Sequence, residues 1–397
     1  MLRQSSGNTY SQQVIKDRNS TLLFDLVRRN APISRAELAR ASGLSPATVT
    51  VLVEELLENH WLRELPTEPV PGLRGRRPIQ LEVHAEAGYV AVLEILSHGY
   101  RCTLYDICQN KLAQLRDRSC APMASAVCRE LKKLIQPYDS ERLMGIHVLY
   151  PGLFDEQTGQ LGFSAVIASE DMVRGSLLDE LKGDFPQSQV MLSNNATAMA
   201  YAVFAGHEAE TPLLAVSVQE GINAGVVTHD RTCLPVEAGH MILNQDGPLC
   251  QCGNRGCLET FCSTPALLSE LCRRTDLKPV CSLTLGADCN PQAMAQVAQA
   301  FRQGDEAVTR VLEDYAHALC GGIVSMVNLF AVRSVYLGGV IEILGQPFVD
   351  LLVGIMEKEH RILTGQQSVT VELFDDDVEA SRQAAVMLCT ERLFRRN

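Results

Sequence analysis

Residues Glu237–Glu259 read EAGHMILNQDGPLCQCGNRGCLE, and the spacing of four residues in this stretch decides how the rest of the chain is read. His240 is followed after nine residues by Cys250, Cys252 comes one residue later and Cys257 four beyond that, with Gly253 and Gly256 between the last two. One imidazole and three thiolates make a closed set of the kind that tetrahedral structural zinc takes, and glycines let the chain turn tightly enough to bring three sulfurs to one ion. The alternative is a group of free buried thiols, since a chain with 14 cysteines must use many as small core residues. Four ligands at compact spacing favour the metal. The expected ligands are therefore His240, Cys250, Cys252 and Cys257, with Zn2+ as a structural cofactor.

The 397 residues, 46% hydrophobic and 21% charged, suffice for two or three domains with their own cores. A mean hydropathy of +0.02 and the absence of a long apolar run exclude membrane insertion. The N-terminal residues hold no apolar segment of the export type, so a cytoplasmic location with reduced cysteines is expected. The net charge of −12 argues against nucleic acid as a partner until it is divided. Residues 1–80 carry 11 Lys and Arg against 8 Asp and Glu, a net +3, which leaves −15 for the remainder. A small DNA-reading module can lie at the basic end of an acidic body.

The basic end has the pattern of such a module. Ser34-Arg35-Ala36-Glu37 has capping-box spacing at the start of a helix, Ser42-Gly43-Leu44 breaks it, and Ser45 caps a second helix with Pro46 in its first turn. Val49, Leu52, Val53, Leu56 and Leu57 share one face of that second helix and should pack inward. An upstream helix at about 20–29, with Leu22, Leu23, Leu26 and Val27, closes the small core, and 61–65 and 79–83 read as strands of a hairpin. Two capped helices with a glycine turn, followed by a hairpin, make a winged helix-turn-helix; an ordinary helical hairpin has the same first half. The candidate DNA contacts are Arg35, Ser45, Ala47, Thr48, Thr50 and Val51, with Arg74, Arg76 and Arg77 on the wing. The second helix offers small and methyl-bearing side chains and no Arg, Asn or Gln for bidentate base contacts, so it should read sequence weakly. The three arginines on a slender Gly/Pro segment suit a narrow A/T-rich minor groove, although such a segment also suits a solvated linker.

The opening stretch resembles the zinc signature of the ROK family, E-x-G-H, a spacer of about ten, then C-x-C-G-x-x-G-C-x-E, and matches it at each named position. That family contains bacterial sugar kinases and transcriptional regulators of the NagC, XylR and Mlc type, and the Gly-x-Arg-Gly-Arg-x-Pro run at 72–78 also resembles the linker of those regulators. The resemblance extends from about residue 85 to the end. A strand-turn-strand unit at 90–106 recurs at 213–228, which suits the duplicated α/β architecture of actin-like sugar kinases. In the family's kinases the first hairpin reads D-x-G-G-T and wraps ATP phosphates. Here the aligned stretch is Glu94-Ile95-Leu96-Ser97-His98, with side chains where backbone amides must approach an anion. The second phosphate turn, Gln219–Gly225, carries Glu220, which would repel a phosphoryl group by several kcal/mol at an effective dielectric of about 20. Leu337-Gly338-Gly339-Val340 keeps a glycine turn near the adenosine pocket.

Carrying the family's sugar contacts over by position gives Asn194, Asn195, Glu237, His240 and Glu259. Amides and carboxylates clamp adjacent hydroxyls, but Asn195 stands where the kinases place their general base, and an amide cannot take a proton near neutral pH. Asn194 and Asn195 can also simply cap the helix that follows. His240 would bind metal through one ring nitrogen and face the pocket with the other. Pro151-Gly152 matches a family turn, but the next sugar-contacting Asn has no counterpart between 159 and 170. Asp375-Asp376-Asp377 reads as a solvated lead-in to an amphipathic C-terminal helix at 379–393, or less readily as a divalent metal site.

The expected organisation is a winged helix-turn-helix DNA-binding domain at 1–83; a first actin-like lobe at 84–194, completed by the C-terminal helix at about 379–397; and a second lobe at 195–378 with the zinc site and a dimerisation surface. The expected function is a sugar-responsive transcriptional regulator, most simply a repressor of carbohydrate genes, with no catalytic residue. Its partners would be a double-stranded DNA operator, an inverted repeat and A/T-rich, a sugar or sugar phosphate effector, and a second copy of itself in a homodimer or tetramer. The alternatives are an active sugar kinase with an appended DNA-binding module, and a regulator controlled by a protein partner without a small ligand.

Overall fold

A computed structural model of the chain describes residues 12–66, 78–96, 99–118, 124–152, 154, 164, 176–207, 211–277, 291–360, 362, 368–374 and 378–394. Its elements in chain order begin with α1 (Gln12–Asn30), β1 (Ile33–Ser34), α2 (Arg35–Ser42), α3 (Pro46–Glu58), β2 (Leu62–Glu64) and β3 (Gln80–Val83). The first lobe follows with β4 (Tyr89–Ile95), β5 (Tyr100–Asp106), β6 (Lys111–Asp117), α4 (Ala124–Ile135), β7 (Leu143–Tyr150), α5 (Ser176–Asp184) and β8 (Gln189–Asn194). Then come α6 (Asn195–His207), β9 (Leu213–Val218), β10 (Ile222–Val227), β11 (Cys233–Val236), α7 (Leu258–Cys262), α8 (Thr264–Arg274), α9 (Pro291–Arg302) and α10 (Glu306–Phe330). The chain closes with β12 (Ser334–Gly339), α11 (Val340–Leu344), α12 (Gln346–Glu359), β13 (Thr370–Leu373) and α13 (Val378–Phe394).

The local signals at the N-terminus produce the local structure. Ser34 Oγ accepts the Glu37 N–H and Glu37 Oε2 accepts the Ser34 N–H at 2.8 Å, so two free amides of α2 are satisfied reciprocally. Gly43, at φ +69°, ends α2, and Ser45 caps α3 by accepting the Thr48 N–H at 3.1 Å. Val49, Leu52, Val53 and Leu56 are buried against Leu23 and Val27 of α1, while Trp61 sets its ring edge-on to Phe24 with centroids 5.8 Å apart. The helix expected at about 20–29 starts eight residues earlier, at Gln12. The hairpin becomes a three-stranded wing of order β1-β3-β2, because the residues leading into the α2 cap pair with Leu81 and Gln80. A two-residue strand leaves no alternation to read in advance.

The body holds two five-stranded sheets of orders β6-β5-β4-β7-β8 and β11-β10-β9-β12-β13. In each, three strands run antiparallel by direct connection and a fourth and fifth join in parallel through helical crossovers. The same order twice is the duplicated actin-like plan, with both faces of the central strands covered, which is why β4 and β9 are buried along their whole length. Helices α4 and α5 cover one face of the first sheet and α13 the other, through Ala385, Val386 and Cys389 against Val90, Val92 and Leu149. Helix α6 lies between the lobes: Ala198 packs into the first lobe's cluster, and Met199, Ala200 and Val203 pack into the second's, beside Leu213 and Tyr336. At Gly225 an added Cβ would sit 2.6 Å from the Ala196 carbonyl oxygen, so glycine there lets α6 lie directly on β10.

Candidate functional site

Strand β11 delivers the chain to Glu237, a single 3-10 turn follows over Ala238–His240, and the loop then doubles back, with Ile242 bridged to Cys257 and Leu249 to Arg255. Gly256, at φ +67°, holds a left-handed turn against the Asn244 carbonyl where a side chain has no room. This folding brings the ligand atoms of His240, Cys250, Cys252 and Cys257 within 4.8 Å of one another. His240 Nδ1 lies 3.6 Å from Cys250 Sγ, and Cys252 Sγ lies 3.7 Å from Cys257 Sγ. The cluster can hold a metal ion. Burial, followed by hydrogen bonds that the Cys257 thiol donates to the Cys252 and Cys250 sulfurs, pushes that thiol up to about 12; metal binding would release the proton.

Cys257 is also the residue that precedes α7, so the cluster fixes where α7 begins and where its second residue, Glu259, points. Glu259 Oε2 accepts the Ile222 N–H at 3.3 Å, and a Cβ at Gly221 or Gly239 would lie 2.6 or 3.1 Å from that oxygen. The carboxylate is therefore wedged between the β9–β10 turn and the turn bearing His240. Glu237 is exposed and directly follows Val236, whose partner in the sheet is Ala224. The start of α6 rests on the neighbouring Gly225, which brings Asn194 and Asn195 toward the same end of β10.

The two asparagines differ. Asn194 is spent on the protein: its Oδ1 accepts the Ala196 N–H at 2.7 Å and its Nδ2 donates to the Gly152 carbonyl at 2.9 Å, tying the head of α6 to the Pro151-Gly152 turn. Asn195 Oδ1 is a buried acceptor with no partner among the described residues. A buried acceptor left open costs on the order of 1–3 kcal/mol, which a ligand hydroxyl would recover only where the cleft opens to expose it.

On the phosphate side the groups are already engaged. Glu94 is 6% exposed, and its Oε2 accepts from Arg382 Nε at 2.6 Å and Arg101 Nη1 at 3.2 Å. The Leu96 N–H donates to the Gly99 carbonyl, closing the hairpin on itself; Ser97 and His98 lie outside the described residues. In the second turn Glu220 is exposed, and the Ile222 amide that could meet an anion is taken by Glu259. Gly339, at φ +70°, packs against the Val218 backbone and starts α11.

Of the candidate DNA contacts, Ala47, Thr50 and Val51 are exposed on α3, Val51 at 55%. Ser45 is committed to its cap, its Oγ also 2.8 Å from Thr48 Oγ1, and the Thr50 hydroxyl donates back to the Pro46 carbonyl. Arg35 reaches across to Glu64 of the wing at 2.9 Å. Arg74, Arg76 and Arg77 lie outside the described residues, as do 159–163 and Asp375-Asp376-Asp377. No described helix is long and apolar enough to cross a membrane.

Comparison with known proteins places these features. Residues 93–380 match the sequence profile of the ROK family, and residues 17–63 match a winged helix-turn-helix DNA-binding profile. The chain is 28% identical over 344 residues to the DNA-binding transcriptional repressor Mlc of Escherichia coli strain K12, covering 82% of this chain and 81% of that protein. In fold it is similar to a crystal structure of a ROK family transcriptional regulator described as a homologue of the E. coli MLC protein. There the TM-score is 0.74 at 20% identity, over 96% of this chain and 98% of the other. It also superimposes on a ROK hexokinase from Thermus thermophilus with a TM-score of 0.57 at 22% identity, over 75% of this chain and 97% of that one.

Proposed function

The chain belongs to the ROK family, and from that premise we propose that it is a sugar-responsive, DNA-binding transcriptional repressor of carbohydrate genes whose kinase-like body binds its effector without phosphorylating it. The observation that carries this reading is the joining of a capped helix-turn-helix to a sugar-kinase body through one continuous core: Ile107, at 1% exposure on the β5–β6 turn, is buried among the head's own side chains. A head built into the body is placed to respond to it. The Mlc repressor, similar along most of both chains, supports the same reading.

The body's chemistry fits recognition without transfer. Asn195 offers an amide to a sugar hydroxyl but no base to deprotonate it. Glu94 is held by two arginines, Glu259 covers the backbone amide of Ile222, and Glu220 adds negative charge where phosphates would come. Zinc is the metal proposed for the cluster. With Zn–S of about 2.3 Å and Zn–N of about 2.0 Å, a tetrahedral site has edges of about 3.5–3.8 Å, which two of the observed separations meet. With all four positions filled by protein, zinc supplies a rigid anchor and no activated water. His240 and Glu259 are then oriented by the loop, as Glu237 is by β11, to clamp the sugar together with Asn195.

On DNA, α3 would lie in the major groove with Ala47, Thr48, Thr50 and Val51 against base edges and methyls, while Arg74, Arg76 and Arg77 enter the flanking minor groove. One head spans a half-site, so a dimer on an inverted repeat follows. A cytoplasmic location completes the proposal. A gel-shift titration of an upstream genomic fragment with glucose, xylose, N-acetylglucosamine and their phosphates tests it: one sugar releases the fragment, and failure to bind any fragment overturns the reading. Sustained ADP production from ATP and one of these sugars would establish the kinase alternative.

A further inference from the structure

Helix α6 starts at the asparagine pair of the sugar face, and two polar links tie that strand-helix junction to the C-terminal helix α13. The Ser193 hydroxyl, one residue before Asn194, hydrogen-bonds to His147 Nε2, and His147 Nδ1–H donates to the Ala385 carbonyl of α13 at 2.8 Å. Farther along α6, the Tyr201 hydroxyl donates to the Glu391 carboxylate of α13. His147 is 1% exposed, so its two bonds have no water to replace them, and the Tyr201 ring is 7% exposed beside a half-buried Glu391.

The other side of α13 meets the DNA-binding head. Arg28 of α1 donates to Met387 Sδ at 3.6 Å, Leu393 packs against the head's core, and Thr390 and Glu391 share a small cleft with Thr21, Phe24 and Asp25 of α1. Glu391 thus stands at both contacts, receiving Tyr201 from one side and lining the head's cleft on the other. The packing leaves no slack, since any side chain at Gly145 of β7 would collide with Cys389 of α13. Close-packed interfaces pass displacement on rather than absorbing it.

We propose that α13 carries occupancy of the sugar cleft to the DNA-binding head, with Tyr201–Glu391 and Ser193–His147–Ala385 as the positioning contacts that move it. This rests on the regulator reading above. The test measures two quantities separately on the full chain: sugar affinity in the absence of DNA, and operator affinity with and without the sugar. The probes are D-glucose, D-xylose, N-acetyl-D-glucosamine and N-acetyl-D-glucosamine 6-phosphate. Tyr201→Phe and Glu391→Leu should leave sugar affinity within about two-fold of wild type and shrink the sugar's effect on operator affinity by about five-fold or more, while Glu391→Gln, which keeps an acceptor, should retain the effect. Wild-type response in Tyr201→Phe and Glu391→Leu overturns the relay alone. A wild-type protein that binds operator but ignores every sugar overturns the regulator reading and the relay with it. As a check free of substitutions, hydrogen-deuterium exchange on wild type should change in 378–394 and 12–30 when sugar is added; no change in either segment also overturns the relay.

Discussion

His147 shows how burial fixes a protonation state. With Ala385's carbonyl facing Nδ1, that nitrogen must carry the proton, so Nε2 accepts from Ser193 and the ring is neutral. Burial lowers its pKa from 6.5 to about 4, although the bond to Ala385 opposes this. The unfolded chain takes a proton near 6.5 that the folded chain refuses until about 4, so this contribution is intact above that window and is lost as pH falls through it. Urea denaturation should show wild type losing about 2 kcal/mol more than His147→Asn between about pH 7.5 and pH 5. Equal pH slopes would place the ring in a polar site instead. Arg382 offers a second test. Its guanidinium is shared between Glu94 and Glu379, while Glu94 keeps Arg101 at 3.2 Å, so Arg382→Met should cost about 1–3 kcal/mol in the same assay; no loss would mean that Arg101 alone satisfies Glu94.

At the scale of elements, what the sequence made legible and what it hid separate by distance along the chain. The capping box of α2 joins Ser34 to Glu37 within one turn, so a pattern of four residues announces it, and Ser34→Ala should cost about 1 kcal/mol in thermal unfolding. The His/Cys cluster that can hold a metal is legible for the same reason, its four residues lying within eighteen positions. Treatment with a strong chelator should lower the melting temperature and weaken sugar binding, and added zinc should restore both, since Cys257 fixes the start of the helix bearing Glu259. The Glu94–Arg382 bond spans 288 positions and His147–Ser193 spans 46, and neither has a local signature; His147 on a strand of buried residues reads like any other core position. Position assigns Asn194 to the sugar, with capping of the following helix as the alternative; the fold shows the local bond to Ala196 that the alternative expects and adds one to the Gly152 carbonyl, 42 positions away, which no local pattern announces.

The whole molecule depends on one exchange between head and body. Burial of Ile107 in the head's core means the head is finished by a residue that arrives after it in the chain. Ile107→Ala should therefore cost about 2–4 kcal/mol and loosen operator binding without changing sugar affinity, as calorimetry and gel shift would show. If sugar in the cleft and operator on the head compete through α13, the coupling must be reciprocal. The direct measurement is the dissociation constant of the effective sugar, by calorimetry, on the free protein and on the protein saturated with operator. The account predicts weaker sugar binding on the operator complex, by the same factor by which the sugar weakens operator binding; identical sugar affinities in the two states would contradict it.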